Sequence, residues 1–413
     1  MVPRTIQADV LRSSEELSDD ISVAIAPWGV DLESMEKTVE PGDDFYRFAN
    51  GNWEKKAKIA PGRWSVSAQS DARARADEQI DSLIDGILGQ QWPKGSDEAK
   101  FVSLFRSYTD RSRLRRLGTA PLRNFFTLIS ESRTHLQIAE LLGNYQVNIG
   151  APFKIAVRLD PEGEQAYLPS LEPADLLLGE HLNYLRDDAH IVALREEGAE
   201  LLSALLRQTG RRRNARARVQ AVLQLETELA ALYPSAEFLR DPSRDDVFMS
   251  VADLQRLAPA FPWRTYFRGH GLGSAGRIHI RVWQNLEALA EVFAQTPAGV
   301  WRDYMRLRLM SDYGAYLSDN IAQKAEALHS LRRGVPYVRF NTSRRAGQLA
   351  VKLMPDIVGR AYLREPGQQD RIAEVRAIAE AIRESFRARI LAAQWPSQET
   401  NCLLYTSPSP RDS

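Results

Sequence analysis

Metal-activated hydrolysis carried on one helix needs two histidines a single turn apart, so that both imidazoles reach the same ion. It also needs a glutamate between them as general base. The six histidines of this 413-residue chain are His135, His181, His190, His270, His279 and His329. No two of them stand at i, i+4, and no His-Glu-x-x-His occurs. Glu180-His181 begins such a pattern but continues Leu182-Asn183-Tyr184-Leu185, without the second histidine. Asp43-Asp44 pairs two carboxylates, as a metal would require, but directly before a helix the pair reads as capping. Gly269-His270-Gly271-Leu272-Gly273 is glycine-rich, yet it lacks the strand-then-helix setting and the lysine of a phosphate loop, and reads as a linker. Arg211-Arg212-Arg213-Asn214-Ala215-Arg216-Ala217-Arg218 is the most basic run. It opens a helix with Val219, Val222, Leu223 and Leu229 on the other face, so it reads as a solvated helix surface rather than a nucleic-acid patch.

The elements that would position any site are mostly helical. Ile80, Leu83, Ile84, Ile87 and Leu88 form one stripe in residues 71–89. Ser96-Asp97-Glu98 starts a helix with Phe101, Leu104, Phe105 and Tyr108 inward, and this region ends at Gly118 before Pro121. Thr134-His135-Leu136-Gln137 is a capping box ahead of Ile138, Leu141 and Leu142. Alternation over 153–159, a turn at Asp160-Pro161-Glu162-Gly163 and a run over 165–168 predict a β-hairpin. Further helices are predicted over 189–208, 214–232, 285–294, 298–317, 347–363 and 370–394. A short one is capped by Ser250-Val251-Ala252-Asp253, and a single strand falls at 278–282. The last helix carries Ile372, Val375, Ile378, Ile382, Phe386 and Ile390 on one stripe. Trp53, Trp263, Trp301 and Trp395 read as packing anchors. With no fixed-period repeat and no low-complexity linker, the fold class is mainly α.

Hydrophobic residues make up 44% and charged ones 26%, with 54 basic and 54 acidic side chains, an ordinary globular composition. That balance gives no reason to expect nucleic acid or an anionic membrane as partner. No apolar run reaches the roughly 18 residues of a membrane span. Residues 1–27 form a polar extension without the features of a signal peptide, which predicts a cytoplasmic protein as written, or an exported one if the start is mis-called. Cys402 is the only cysteine, so no intrachain disulfide is possible. It lies in residues 401–413, a segment that back-translates to a transposase-end sequencing adapter and is expected to be read-through rather than protein.

The organising stretch is Pro41-Gly42-Asp43-Asp44-Phe45-Tyr46-Arg47-Phe48-Ala49-Asn50-Gly51-Asn52-Trp53. Physically it is a turn, an aspartate cap, and a helix with Phe45, Phe48, Ala49 and Trp53 on a bulky face, which Asn50-Gly51 should break or bend. It resembles the opening motif of the M13 (neprilysin-like) zinc metallopeptidases. Segments in the same order extend the resemblance over residues 28–400. They are Asp97-Glu98-Ala99-Lys100 with Leu117-Gly118-Thr119-Ala120-Pro121-Leu122, then Arg240-Asp241-Pro242, Met249 to Leu254 and Phe261-Pro262-Trp263. Thr296-Pro297 with Trp301-Arg302-Asp303-Tyr304, and Trp395 to Thr400, complete the series.

The resemblance implies a large helical N-terminal region, or lid, of a zinc metalloendopeptidase that hydrolyses oligopeptides by zinc-activated water. The lid would enclose the substrate cavity. It implies zinc in the full-length enzyme, while the residues of this chain hold none of the expected ligands and predict neither zinc binding nor hydrolysis by this piece alone. Arg63 stands where some relatives carry an arginine near the pocket for the peptide's C-terminal side; Ala68 replaces the acid found five residues on in relatives. The alternative, from another class, is a non-enzymatic helical peptide-binding or scaffolding protein that reuses the lid. A reading frame running on past Thr400 into His-Glu-x-x-His would separate the two.

Overall fold

The computed structural model describes residues 31–393 apart from 64, 148, 161–166, 242–246, 340, 366 and 367. The N-terminal extension, the tip of the hairpin, Trp395 to Thr400 and the adapter-like tail therefore lie outside the described residues. The chain divides into two compact units, Met1–Ala68 and Gln69–Ser413.

In the first unit the organising stretch forms α1 (Phe45–Lys56), with the Asp44 carboxylate accepting from the Arg47 amide at 2.9 Å. Contrary to expectation, the helix passes through Asn50-Gly51 unbroken. The reason is a close approach. The buried Glu36 side chain lies across Gly51, where a Cβ would fall 2.3 Å from its Oε2. Arg47 and Lys55 ion-pair with Glu36, and the Glu36 amide donates to the Phe48 carbonyl at 2.8 Å. Asn52 Nδ2 donates to the Met35 carbonyl at 2.8 Å. Glycine is thus selected for space rather than as a breaker, and the motif's polar residues fasten the preceding segment. The predicted bulky face is not buried within this unit: Phe45 is exposed, while Phe48 and Trp53 are half-buried.

The second unit is mainly α, as its periodicity predicts. It opens within α2 (Ala68–Leu88, whose first residue closes the first unit) and continues with α3 (Asp97–Thr109), α4 (Arg111–Leu117), α5 (Arg123–Glu131) and α6 (His135–Leu142). Gly118, at φ 54°, ends α4, and the Thr134–Gln137 capping box starts α6. The hairpin β1 (Phe153–Leu159) and β2 (Tyr167–Pro173) follows in antiparallel register from Phe153↔Pro173 to Leu159↔Tyr167. Next come α7 (Leu182–Leu185), α8 (Ala189–Gln208), α9 (Ala215–Leu232) and α10 (Ala236–Arg240). Beyond them are β3 (Phe248–Met249), α11 (Val251–Leu257), α12 (Trp263–Gly269) and β4 (Ile278–Ile280). Strands β2 and β4 pair in parallel and β3 pairs antiparallel to β4, giving the order β1-β2-β4-β3. Neither β3 nor the joining of β4 to the hairpin was anticipated, because a two-residue strand carries no alternation.

The chain continues through α13 (Leu286–Gln295), α14 (Ala298–Tyr313) and α15 (Asp319–Arg332). The predicted helix over 347–363 is two helices, α16 (Thr342–Leu353) and α17 (Pro355–Leu363). Pro355 lacks the N–H that would continue the ladder and takes the N1 position of the second helix. The last helix is α18 (Gln368–Ala392).

Two apolar clusters hold this unit. The larger centres on Phe153, Phe261, Trp263, Phe293 and Trp301, whose rings meet at centroid distances of 4.6–5.3 Å. The smaller joins Ile84, Ile87, Phe101 and Phe105 to Ala346, Ala350 and Val358. Where α6 ends, Gly143 touches the backbone of Tyr266 on α12, leaving no room for a Cβ. The stripe of α18 behaves otherwise. Val375 is 64% and Phe386 66% exposed, Ile378 and Ile382 are similar, and no described residue of this helix is buried.

Candidate functional site

The histidines are dispersed. His135 Nε2 lies 2.8 Å from the Thr296 carbonyl, with its ring edge-on to Phe293. His270 packs edge-on against Tyr266, and burial holds it below the usual histidine range. His279 is buried in β4 beside Phe248. Among the described residues no three His, Cys, Asp or Glu side chains converge where they could hold a metal ion. The described residues therefore do not fit a zinc centre. Asp44 serves as a helix cap, the role its position predicts.

Arg63 sits in the first unit, half-buried in the turn after α1, and its amide donates to the Ala60 carbonyl at 3.1 Å. Ala68, five residues on, is the first residue of α2.

Two polar arrangements in the second unit were not singled out from sequence. The first is buried. Glu226 on α9 accepts from the Leu177 amide through Oε1 at 2.8 Å and from the Tyr184 hydroxyl through Oε2 at 2.5 Å. The Leu178 amide donates in turn to the Tyr184 hydroxyl at 2.7 Å. Burial pushes the Glu226 carboxyl up to about 7, against the pull of those hydrogen bonds and of Arg308 and Arg332. Complete burial keeps this carboxyl from substrate. It pins the segment after β2 to α7 and α9.

The second is an open cleft of about 480 Å³ between the α4–α5 connection and α14. Arg306 and Arg123 line it, with Thr119, Thr127, Ser130 and Glu131. Arg306 comes from a helix that is buried nearly all round, from Trp301 to Ser311. The sequence signal was available there, since Arg306 and Arg308 interrupt the run Tyr304-Met305-Arg306-Leu307-Arg308-Leu309-Met310. The basic run beside the cleft is divided: Arg211 to Arg213 precede α9, whose first residue follows the left-handed Asn214, and Arg218 pairs with Asp303 at 2.7 Å.

A model of the N-terminal part of peptidase family M13 matches residues 41–403. The chain belongs to peptidase family M13. This M13 chain is 21% identical over 400 residues to neprilysin-11 of Caenorhabditis elegans, covering 90% of itself and 46% of that relative. It is 22% identical over 408 residues to endothelin-converting enzyme 1 of Homo sapiens, covering 89% and 49%. The fold is similar to that of the Mycobacterium tuberculosis zinc metalloprotease Zmp1, solved with an inhibitor. The TM-score is 0.76 at 21% identity, over 91% of this chain and 57% of that one. The M13 chain thus spans about half the length of the curated relatives it matches. Among its described residues no helix is long and apolar enough to cross a membrane.

Proposed function

We propose that this chain is the N-terminal helical lid of a zinc metalloendopeptidase that hydrolyses oligopeptides, and that it shapes the cavity that admits them. The catalytic zinc half is then supplied by sequence outside this chain, since the described residues do not form its site and the sequence holds no His-Glu-x-x-His. In that enzyme zinc would activate the attacking water, with a glutamate as general base. Within this reading Arg63 would hold a carboxylate on the peptide's C-terminal side by paired N–H bonds, without help from an acid at position 68.

The observation that carries the reading is α18. A 25-residue helix with four large apolar side chains 60–66% exposed on one stripe is a face built to be covered. A catalytic half packed against the helical region would cover it. Expressed alone, the chain is therefore expected to self-associate, and Ile382→Ser with Phe386→Ser is expected to return it to a monomer by light scattering. A monomeric, cooperatively melting wild-type chain would count against the reading.

The direct test is to read the gene past the Thr400 codon and assay the longer protein. The expected result is His-Glu-x-x-His with a later glutamate, and peptide hydrolysis that is lost on chelation and restored by zinc. A stop codon before any such motif would sink the peptidase reading in favour of a peptide-binding scaffold.

A further inference from the structure

The cleft between the α4–α5 connection and α14 holds a buried cation that no carboxylate among the described residues ion-pairs. Arg306 is only 4% exposed. Its Nη2 donates to the Phe126 carbonyl at 3.1 Å and to Ser130 Oγ at 2.5 Å, and its Nη1 donates to the Thr209 carbonyl at 3.4 Å. The Phe126 ring lies 5.2 Å from its Cζ. All these partners are neutral, and no carboxylate among the described residues forms an ion pair with Arg306. The nearby Asp303 carboxylate is taken by Arg218 at 2.7 Å and approached by Arg211 at 3.9 Å. A guanidinium has five N–H donors. Three acceptors are in place here, and Nε has none.

The surroundings make this unpaired charge costly. Burial, together with Arg211 and Arg302 and against the pull of Asp303, pushes the Arg306 guanidinium down to about 10, so it remains charged at neutral pH. A desolvated cation with only neutral hydrogen-bond partners gains from any anion that reaches it. The cleft is open and offers further donors. Arg123 lines it, exposed and without an ion pair among the described residues, and Thr119 adds a hydroxyl, while the Thr127 and Ser130 hydroxyls already donate to the Arg123 and Phe126 carbonyls at 3.1 Å and 2.7 Å. Glu131 is the one carboxylate in the lining. Donors from two guanidinium groups and the Thr119 hydroxyl exceed what the two oxygens of a carboxylate use, and match a tetrahedral oxyanion. The volume leaves room for more than the anion itself.

We propose that this cleft binds a phosphate monoester of a small molecule, its phosphate held between Arg306 and Arg123. This site is independent of the peptidase reading, because it uses none of the residues or surfaces on which that reading rests.

The test is equilibrium dialysis of the full chain against radiolabelled orthophosphate at an ionic strength fixed with chloride, a readout that does not depend on oligomeric state. Saturable binding of one phosphate per chain is expected. The exposed substitution Arg123→Gln should weaken it about tenfold, the loss of one charge-assisted contact. Glu131→Gln should tighten it several-fold, a gain that a merely structural role for these side chains would not produce. Arg306→Lys keeps the charge but loses the planar fork, and should weaken binding where the variant folds. Binding no greater than in the chloride control, or unchanged by Arg123→Gln, would overturn the proposal and leave Arg306 as a clip fastening α5 to α14. Acetate displacing phosphate at equal concentration would overturn the phosphate assignment.

Discussion

Trp263→Ala is expected to lower the unfolding free energy of the second unit by about 3–5 kcal/mol. Trp263 is fully buried at the start of α12, between Phe261 at 4.6 Å and Phe153 at 4.9 Å. Its Nε1 donates to the Ala258 carbonyl at 2.8 Å. Truncation removes the ring that ties β1 to α12, leaves a cavity among residues already in close contact, and leaves the Ala258 carbonyl only the longer bond from the Phe261 amide at 3.4 Å. Trp263→Phe refills much of the space but not the hydrogen bond, so about 0.5–1.5 kcal/mol is expected from the lost bond. Urea unfolding followed by circular dichroism separates the two variants. A cost below about 1 kcal/mol for Trp263→Ala would show that this cluster collapses freely around the gap and is not the keystone its geometry indicates.

Glu226 makes stability depend on pH, with a definite sign. Its folded pKa, about 7, lies above the ordinary 4.5. The folded state therefore holds the proton more tightly than the unfolded chain does. The resulting stabilisation is fully present below about pH 4.5 and is lost as pH rises through 7. A shift of that size corresponds to about 3 kcal/mol as an upper bound. Glu226→Gln is neutral at every pH, so all other titrating groups cancel in the difference between the two proteins. The expected result is that the melting temperature of Glu226→Gln gains on wild type steadily from pH 5 to pH 7.5. A flat difference would mean that Tyr184, Leu177 and Arg308 hold the carboxylate ionised throughout. Glu226→Ala is the harsher change, because it leaves the Leu177 amide and the Tyr184 O–H without an acceptor, and about 3–5 kcal/mol is expected at neutral pH.

Local signals were legible wherever the determinant was local. Both capping boxes, Thr134 with Gln137 and Ser250 with Asp253, start helices as their spacing predicts. The stripes of α2 and α3 meet in the smaller apolar cluster, and Trp263 and Trp301 are anchors as their size suggests. Other local signals failed for identifiable reasons. The Asn50-Gly51 break is overridden because Glu36, 15 positions earlier than Gly51, occupies the space a side chain would need. The break at Pro355 was there to be read, but apolar periodicity on both sides of it favoured one continuous helix. Strand β3 and the parallel pairing of β4 with β2 depend on partners far away in sequence, and no pattern within either segment announces them.

By itself, the sequence determined the helical character of the chain, its place among the M13 peptidases and the lack of a His-Glu-x-x-His. Each is written in residue type and short-range spacing. Only the tertiary structure decided which apolar faces are covered. The stripes of α2 and α18 look alike in sequence, yet Ile84 and Ile87 are buried against α3 and α16 while Val375 and Phe386 face outward. The same holds for charge: Arg306 is one arginine among many until folding strips it of water beside an open cleft and assigns Asp303 to Arg218 instead. Burial and ion pairing are properties of pairs of distant segments, so periodicity can nominate a face or a charge, but only packing determines its partner.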